Sequence, residues 1–353
     1  MSQSPATPYL RIDVARLGAN IERTAARAAA AGVSLRPHAK THKSPDIARL
    51  QLEAGAIGLT VATIGEAEVF AEHGVEDLFI AYPLWLSDDA ARRLRDLAGR
   101  ADLAIGVDSV GAAQRTGAAL EGTGVAVLVE VDSGQHRTGV APGDAGVVAA
   151  AAAEAGLPVR GVFTFPGHGY SPELMGSAAD DEAAALAAAV ASFRDVGLEP
   201  DVVSGGSTPT LTQTHTDALT EIRPGVYLFG DAQQWELGAM PPDTIALTCR
   251  ATVVSHAGGR LVLDSGSKVL GADRAPYATG GGRLLDHPAA RIVQLSEHHA
   301  VVDLAGETLP PLGSEVAVVP NHVCAAVNLA DTLWADDGTA LVSWPVAARG
   351  RNG

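Results

Sequence analysis

At 353 residues the chain is longer than one small core needs and calls for two domains, or a barrel with an appendage. Hydrophobic residues at 47% against 19% charged exclude a disordered chain, and a net charge of −16 excludes a surface that neutralises nucleic-acid phosphates, although not an anionic small ligand in a locally positive pocket. No run reaches the ~20 apolar residues of a membrane span. Residues 1–10 show no basic stretch followed by an apolar one, and Cys249 and Cys324 make no disulfide framework; the expectation is a soluble cytoplasmic protein with no membrane partner.

Through the first two thirds, short apolar runs alternate with Ala-rich amphipathic segments. The runs predict strands at Val33–Pro37, Gly58–Ala62, Leu78–Ala81, Leu103–Val107, Val125–Val131, Val159–Thr164, Val202–Ser204 and Val226–Phe229. Helical spacing falls between them, at Ile47–Leu52, Ile64–Glu72, Asp88–Leu97, Gly111–Leu120, Gly143–Ala155 and Asp181–Val196, and Gly32, Gly74 and Gly156 supply helix stops. Eight strand–helix units over residues 1–240 predict an α/β fold of the (β/α)8 barrel type, with a doubly wound open sheet as the alternative. From Pro241 the texture changes to strand-like runs separated by turns (Ile245–Val254, Arg260–Leu263, Arg291–Gln294, Ala300–Leu304, Glu315–Val319), which predicts a small C-terminal β domain over residues 241–353.

Four segments carry chemistry. Arg36-Pro37-His38-Ala39-Lys40-Thr41-His42-Lys43 follows the first predicted strand, at the rim where a barrel places its chemistry. Lys43 reads as solvent-facing. Lys40, at the end of a buried strand, is desolvated and so becomes an amine nucleophile towards carbonyls. Ser204-Gly205-Gly206-Ser207-Thr208-Pro209 follows the seventh strand; its glycines let backbone N–H groups approach a phosphate, and Gly225 of Arg223-Pro224-Gly225, read as preceding strand eight, adds another donor. The third, Asp132 to Gly139, reads equally as a ligand-facing loop or a capped turn. In the fourth, Pro320-Asn321-His322-Val323-Cys324, an extended backbone would point His322 and Cys324 to one face, where imidazole and thiolate can chelate zinc; a buried inert cysteine is the plainer alternative.

In this order the four segments resemble the D-threonine aldolase and D-serine dehydratase family, fold-type III pyridoxal-phosphate enzymes with an alanine-racemase-like barrel and a C-terminal β domain. Arg-Pro-His-x-Lys-Thr-His-Lys at 36–43 and Pro-Asn-His-x-Cys at 320–324 are the most specific marks, and Asp264-Ser265-Gly266-Ser267-Lys268 echoes the β-domain pattern. The resemblance implies that Lys40 carries pyridoxal 5'-phosphate and that Gly205, Gly206, Ser207, Thr208 and Gly225 hold its phosphate. It also implies that Arg137 faces the ring nitrogen, that His38 and Tyr170 contact the cofactor, and that His168 is a catalytic group lining the substrate pocket. His322 and Cys324 resemble the ligands of a divalent metal, zinc first and manganese or magnesium next. Where relatives often read Ser-Glu-Glu-His, this chain has Ser296-Glu297-His298-His299, which alters the charge of that segment.

The activity so implied is that of a lyase on β-hydroxy D-amino acids such as D-serine, D-threonine or 3-hydroxyaspartate. Dehydration to a 2-oxo acid and ammonia is favoured by His-x-Cys, and aldol cleavage to glycine and an aldehyde is the alternative. An amino-acid racemase and a non-catalytic cofactor carrier are further alternatives, and the resemblance implies a homodimer.

Overall fold

The computed structural model describes residues 5–353; residues 1–4, part of the stretch read above for a leader, lie outside it. The chain divides into two compact units. One comprises Thr24–Lys40, Ala48–Gly225 and Arg351–Gly353. The other comprises Met1–Arg23 (described from Pro5), Thr41–Ile47 and Val226–Gly350.

The first strand, β1 (Tyr9–Asp13), belongs to the second unit. The next eight form the first: β2 (Ser34–Leu35), β3 (Leu59–Val61), β4 (Asp77–Pro83), β5 (Asp102–Val107), β6 (Ala126–Glu130), β7 (Val159–Phe163), β8 (Val202–Gly205) and β9 (Glu221–Ile222). All pair in parallel and in sequence order, β9 returning to β2 through Ser34↔Glu221 and Leu35↔Ile222. The remaining gap closes where His38 bridges Thr60 and Thr60 donates its N–H to Pro37 O at 2.9 Å. An open doubly wound sheet would reverse its strand order midway; here the order runs unbroken, as in a barrel. Helices Ile64–Glu72, Asp88–Ala98, Val110–Leu120, Ala145–Glu154 and Met175–Asp195 connect successive strands from β3 to β8.

The strands form from Val, Leu and Ile because both faces are covered: every residue of β6 is buried, and so is β5 apart from Asp102. Inside, Phe79, Ala104, Ala126, Leu128 and Phe163 pack together, with Phe79 and Phe163 edge-to-face at 5.0 Å. Charge shares this interior. Arg36 grips both oxygens of Asp77 at 2.6 and 2.9 Å and donates to Glu221 at 2.6 Å, while Glu221 accepts from Ser204 Oγ at 2.6 Å. Burial alone would lower the Arg36 pKa, but hydrogen bonds and charge from Asp77 and Glu221 hold it above its ordinary value.

This network corrects the expected eighth strand. Val226–Leu228 is a buried 3-10 turn, and the strand is Glu221–Ile222, so Arg223-Pro224-Gly225 follows it instead of preceding it. The apolar run at 226–229 looked like a strand because it is buried; the true strand hides its signal behind a carboxylate that Arg36 neutralises.

In the second unit β1 pairs antiparallel with β10 (Leu247–Ser255), a strand it reaches across more than two hundred residues of chain. β11 (Leu261–Leu263), β12 (Gly282–Leu284), β13 (Arg291–Leu295), β14 (Ala300–Asp303), β15 (Glu315–Pro320), β16 (Thr332–Asp336) and β17 (Leu341–Pro345) complete a mixed sheet, in which β1 and β16 run parallel. The helix Val323–Leu329 follows β15 directly. Among the described residues no helix is long and apolar enough to cross a membrane.

Candidate active site

The predicted cofactor residues of the first unit follow the ends of β2, β6, β7, β8 and β9. Lys40 lies in the 3-10 turn Ala39–Thr41 after β2, partly buried, with Nζ 5.7 Å from the centre of the Phe165 ring. The Arg137 guanidinium stands 5.5 Å from the same ring, and Tyr170 packs against it at 6.1 Å. Phe165 therefore holds three predicted residues together, and it was missed because an aromatic after a strand reads as core. His38 donates its N–H to Pro224 O at 3.0 Å, which ties the loop after β2 to the loop that carries Gly225. The Lys40 N–H points to His38 Nδ1 at 3.5 Å.

After β8, Gly206 adopts φ +79 and packs on Ile222 of β9. Its N–H is donated to Glu182 Oε1 at 2.6 Å, and the Ser207 N–H goes to Thr210 Oγ1 at 3.2 Å. The turn is thus braced from within the protein, and Glu182 and Thr210 are both residues the sequence reading passed over. Behind it Arg223, buried, donates to Ser204 Oγ and to Thr164 O and lies over Phe79 and Phe163 at 5.7 and 5.4 Å.

The segment 132–139 is a capped turn. Asp132 Oδ1 accepts the N–H groups of Gly134 and His136 at 2.9 and 3.0 Å, and Oδ2 meets His136 Nδ1 at 2.7 Å. Burial would raise Asp132, but these donors hold it below its ordinary value. The turn also meets His168: a Cβ on Gly134 would stand 3.0 Å from its ring, so glycine there lets the imidazole approach. His168 Nε2 meets Asp181 Oδ2 at 3.1 Å, while Nδ1 is buried with no hydrogen-bond partner. Glu130 Oε2 is likewise buried and unpartnered, and burial raises its pKa. Two orphaned buried polar atoms cost free energy unless a ligand satisfies them. A lysine at the rim, a glycine turn, an arginine and these two atoms fit pyridoxal phosphate.

The motif at 36–43 divides between the units, with Thr41, His42 and Lys43 in the second. Lys43 corrects its solvent-facing expectation: it is 5% exposed, at φ 52, with Nζ donating to Asn328 Oδ1 at 2.7 Å. In the same unit His322 is not followed by extended chain. It caps the helix Val323–Leu329, so Cys324 sits in a first helical turn and not two places along a strand. The two side chains still meet, through a hydrogen bond between imidazole and thiol, and Cys324 Sγ lies 3.4 Å from Thr41 Oγ1. Asp273 Oδ2 binds His322 Nδ1 and so fixes the orientation of the ring. Burial would lower the His322 pKa, but Cys324 and Asp273 push it up to about 11. Among the described residues no three His, Cys, Asp or Glu side chains form a metal cluster, and His322 and Cys324 bring together one nitrogen and one sulfur donor. They fit a divalent ion of zinc type. Asp231, fully buried and raised to about 6 by burial, accepts from Val323 N at 3.1 Å and from Gln234 N at 2.8 Å, capping two helices at once. Ser296–His299 forms the exposed turn between β13 and β14.

Residues 12–233 match the model of the alanine racemase N-terminal domain, and residues 246–335 match that of a serine dehydratase domain. The chain is 35% identical to D-threo-3-hydroxyaspartate dehydratase of Delftia sp. (strain HT23), over 90% of this chain and 91% of that one. Structures of that enzyme superpose with a TM-score of 0.88. They include a histidine-to-alanine variant and, two positions on, a cysteine-to-alanine variant in the metal-free form. D-threonine aldolase of Arthrobacter sp. is 34% identical over 98% of this chain and 93% of its own. The crystal structure of D-threonine aldolase from Filomicrobium marinum superposes with a TM-score of 0.88 at 31% identity, covering 98% of this chain and 95% of that one.

Proposed function

Because the chain belongs to the D-threonine aldolase and D-serine dehydratase family of pyridoxal-phosphate lyases, we propose that it dehydrates β-hydroxy D-amino acids to a 2-oxo acid and ammonia, using pyridoxal phosphate and a divalent metal. The observation that carries this reading is the His322–Cys324 pair at the start of its helix. The Delftia dehydratase, whose cysteine variant is described as metal-free, supports a thiolate as metal ligand here.

When bound, the cofactor supplies an electron sink for the substrate α-carbon and the metal a Lewis acid for the β-hydroxyl. Lys40 holds the cofactor and moves the proton at the α-carbon. Its amine stands beside the Phe165 ring, which the Arg137 guanidinium shares. Gly205, Gly206, Ser207, Thr208 and Gly225 would line the phosphate position, the Gly206 and Ser207 N–H groups being given inward to Glu182 and Thr210, and His38 ties the loop of Gly225 to that of Lys40. Arg137 would stand towards the ring nitrogen, where an arginine is a poor proton donor and the electron sink would be the weaker for it. Tyr170 supports the ring region from Phe165. His168, fixed by Asp181, presents its orphaned Nδ1 as a group for the substrate carboxylate or hydroxyl. His322 and Cys324 hold the metal, Asp273 keeping the imidazole in its ligating orientation.

Aldol cleavage is the second reading, favoured by the nearly equal identity to the Arthrobacter aldolase. Both are tested by incubating cofactor-loaded protein with D-serine, D-threonine and D-threo-3-hydroxyaspartate, with and without a chelator. Pyruvate, 2-oxobutyrate or oxaloacetate, lost on chelation, is the expected result. Glycine plus acetaldehyde from D-threonine would transfer the assignment to the aldolase.

A further inference from the structure

Glu182 lies on the helix Met175–Asp195 and is only 1% exposed. A carboxyl group is seldom taken out of water unless its oxygens are satisfied, and this one is aimed at the turn after β8, where Oε1 accepts the Gly206 N–H at 2.6 Å. The approach is close: a Cβ on residue 205 would stand 2.4 Å from the same oxygen. A side chain at position 205 would therefore crowd Glu182, whatever ligand the turn takes. Gly206, at φ +79, is held in its left-handed conformation by the N–H that it gives to the carboxyl. The mechanism above leaves this carboxyl without a task.

The charged groups that face Glu182 are Arg223, from the loop after β9, and His215, which is paired with Asp180 of the glutamate's own helix. Burial is the larger influence and pushes Glu182 up to about 7, with the Gly206 N–H, Arg223 and His215 pulling the other way. A phosphate dianion brought to Gly205–Thr208 adds charge of the carboxylate's own sign to the turn, and inside a protein such like charges disfavour ionisation.

We propose that Glu182 is a positioning residue for the cofactor phosphate: it braces the Gly205-Gly206 turn and carries a proton while a phosphate dianion occupies that turn, so that its ionisation weakens cofactor binding. The proposal rests on the pyridoxal-phosphate reading given above.

The test is to strip the full-length protein of cofactor and titrate wild type, Glu182→Gln and Glu182→Ala with pyridoxal phosphate, followed by visible absorbance, near pH 6 and near pH 8.5. Glutamine keeps an oxygen for Gly206 and has no proton to lose. It is expected to match wild type near pH 6 and to bind about three- to tenfold more tightly near pH 8.5. Alanine removes the brace and is expected to bind about tenfold more weakly at both pH values. Pyridoxal, which lacks the phosphate, should bind wild type and Glu182→Gln alike. A purely structural role would lower thermal stability without this pH-dependent gain. Equal affinity of wild type and Glu182→Gln at both pH values overturns the proposal, and that comparison stands even if the alanine variant does not fold. Wild type that takes up no pyridoxal phosphate overturns the functional reading and this proposal together, whereas uptake with identical pH dependence overturns this proposal alone.

Discussion

Lys40 and Lys43 stand three positions apart with the same charge, and the fold gives them opposite surroundings. Lys40 is partly buried, with its amine 5.7 Å from the centre of the Phe165 ring. Lys43 is buried at a strained φ of 52, its ammonium donating to Asn328. The proposed roles separate in one experiment. Lys40→Ala is expected to fold with nearly unchanged stability and to lose the visible absorbance of the bound cofactor together with activity. Lys43→Ala is expected to keep the absorbance and to cost about 1–3 kcal/mol, because Asn328 loses a charged donor in a buried position. Cofactor spectra and urea unfolding of the two variants decide the matter, and the reverse pattern would exchange their roles. Sequence alone could not separate the two lysines, since the partner that buries Lys43 lies 285 residues along the chain.

At the scale of elements, the shortest pieces bear the most chemistry. β9 has two residues, and one of them is a glutamate that neutralises Arg36 inside the barrel. Arg36→Ala leaves Asp77 and Glu221 facing each other's charge without their shared partner, and the expected loss is about 3–5 kcal/mol by urea denaturation. A loss under 1 kcal/mol would mean that water reaches the pair and that the network is ornamental to the fold. The helix Val323–Leu329 has only seven residues, and Asp231 fixes its first N–H. It presents Cys324 to His322 without any help from extended backbone, so the pair depends on that cap being in place. Under the proposed function, Cys324→Ala and His322→Ala are each expected to abolish metal retention through dialysis while the barrel still binds cofactor. Metal analysis beside cofactor absorbance reads both quantities, and retained metal in both variants would remove the pair from the proposal.

Over the whole molecule, what was legible in the sequence was what periodicity and glycine encode. The seven barrel strands up to Val202 and the helices between them follow from covered apolar runs, with Gly32, Gly74 and Gly156 at positive φ where the helices stop. What was not legible depends on partners distant in the chain: β1 completed by β10, β9 disguised by Glu221, and the carboxyls of Glu182, Glu130 and Asp273, whose meaning comes from what buries them. Those carboxyls also give the molecule a pH dependence that its net charge of −16 does not reveal. Glu182 has its pKa raised by burial from 4.5 to about 7, so the native state prefers it protonated. The stability it lends is therefore complete below about pH 4.5 and is lost as pH rises through about 7, by an amount on the order of 3 kcal/mol. Glu130, raised by burial as well, adds to the loss in the same direction. Glu68 has the opposite sign, because its hydrogen bonds with Arg93 lower its pKa, and its contribution disappears only as pH falls below the ordinary carboxylate range. Cofactor-free protein is thus expected to resist urea better near pH 5 than near pH 8, and Glu182→Gln to flatten that difference. A wild type and variant that lose stability in parallel over this range would show that water reaches Glu182 and relieves the cost of its charge.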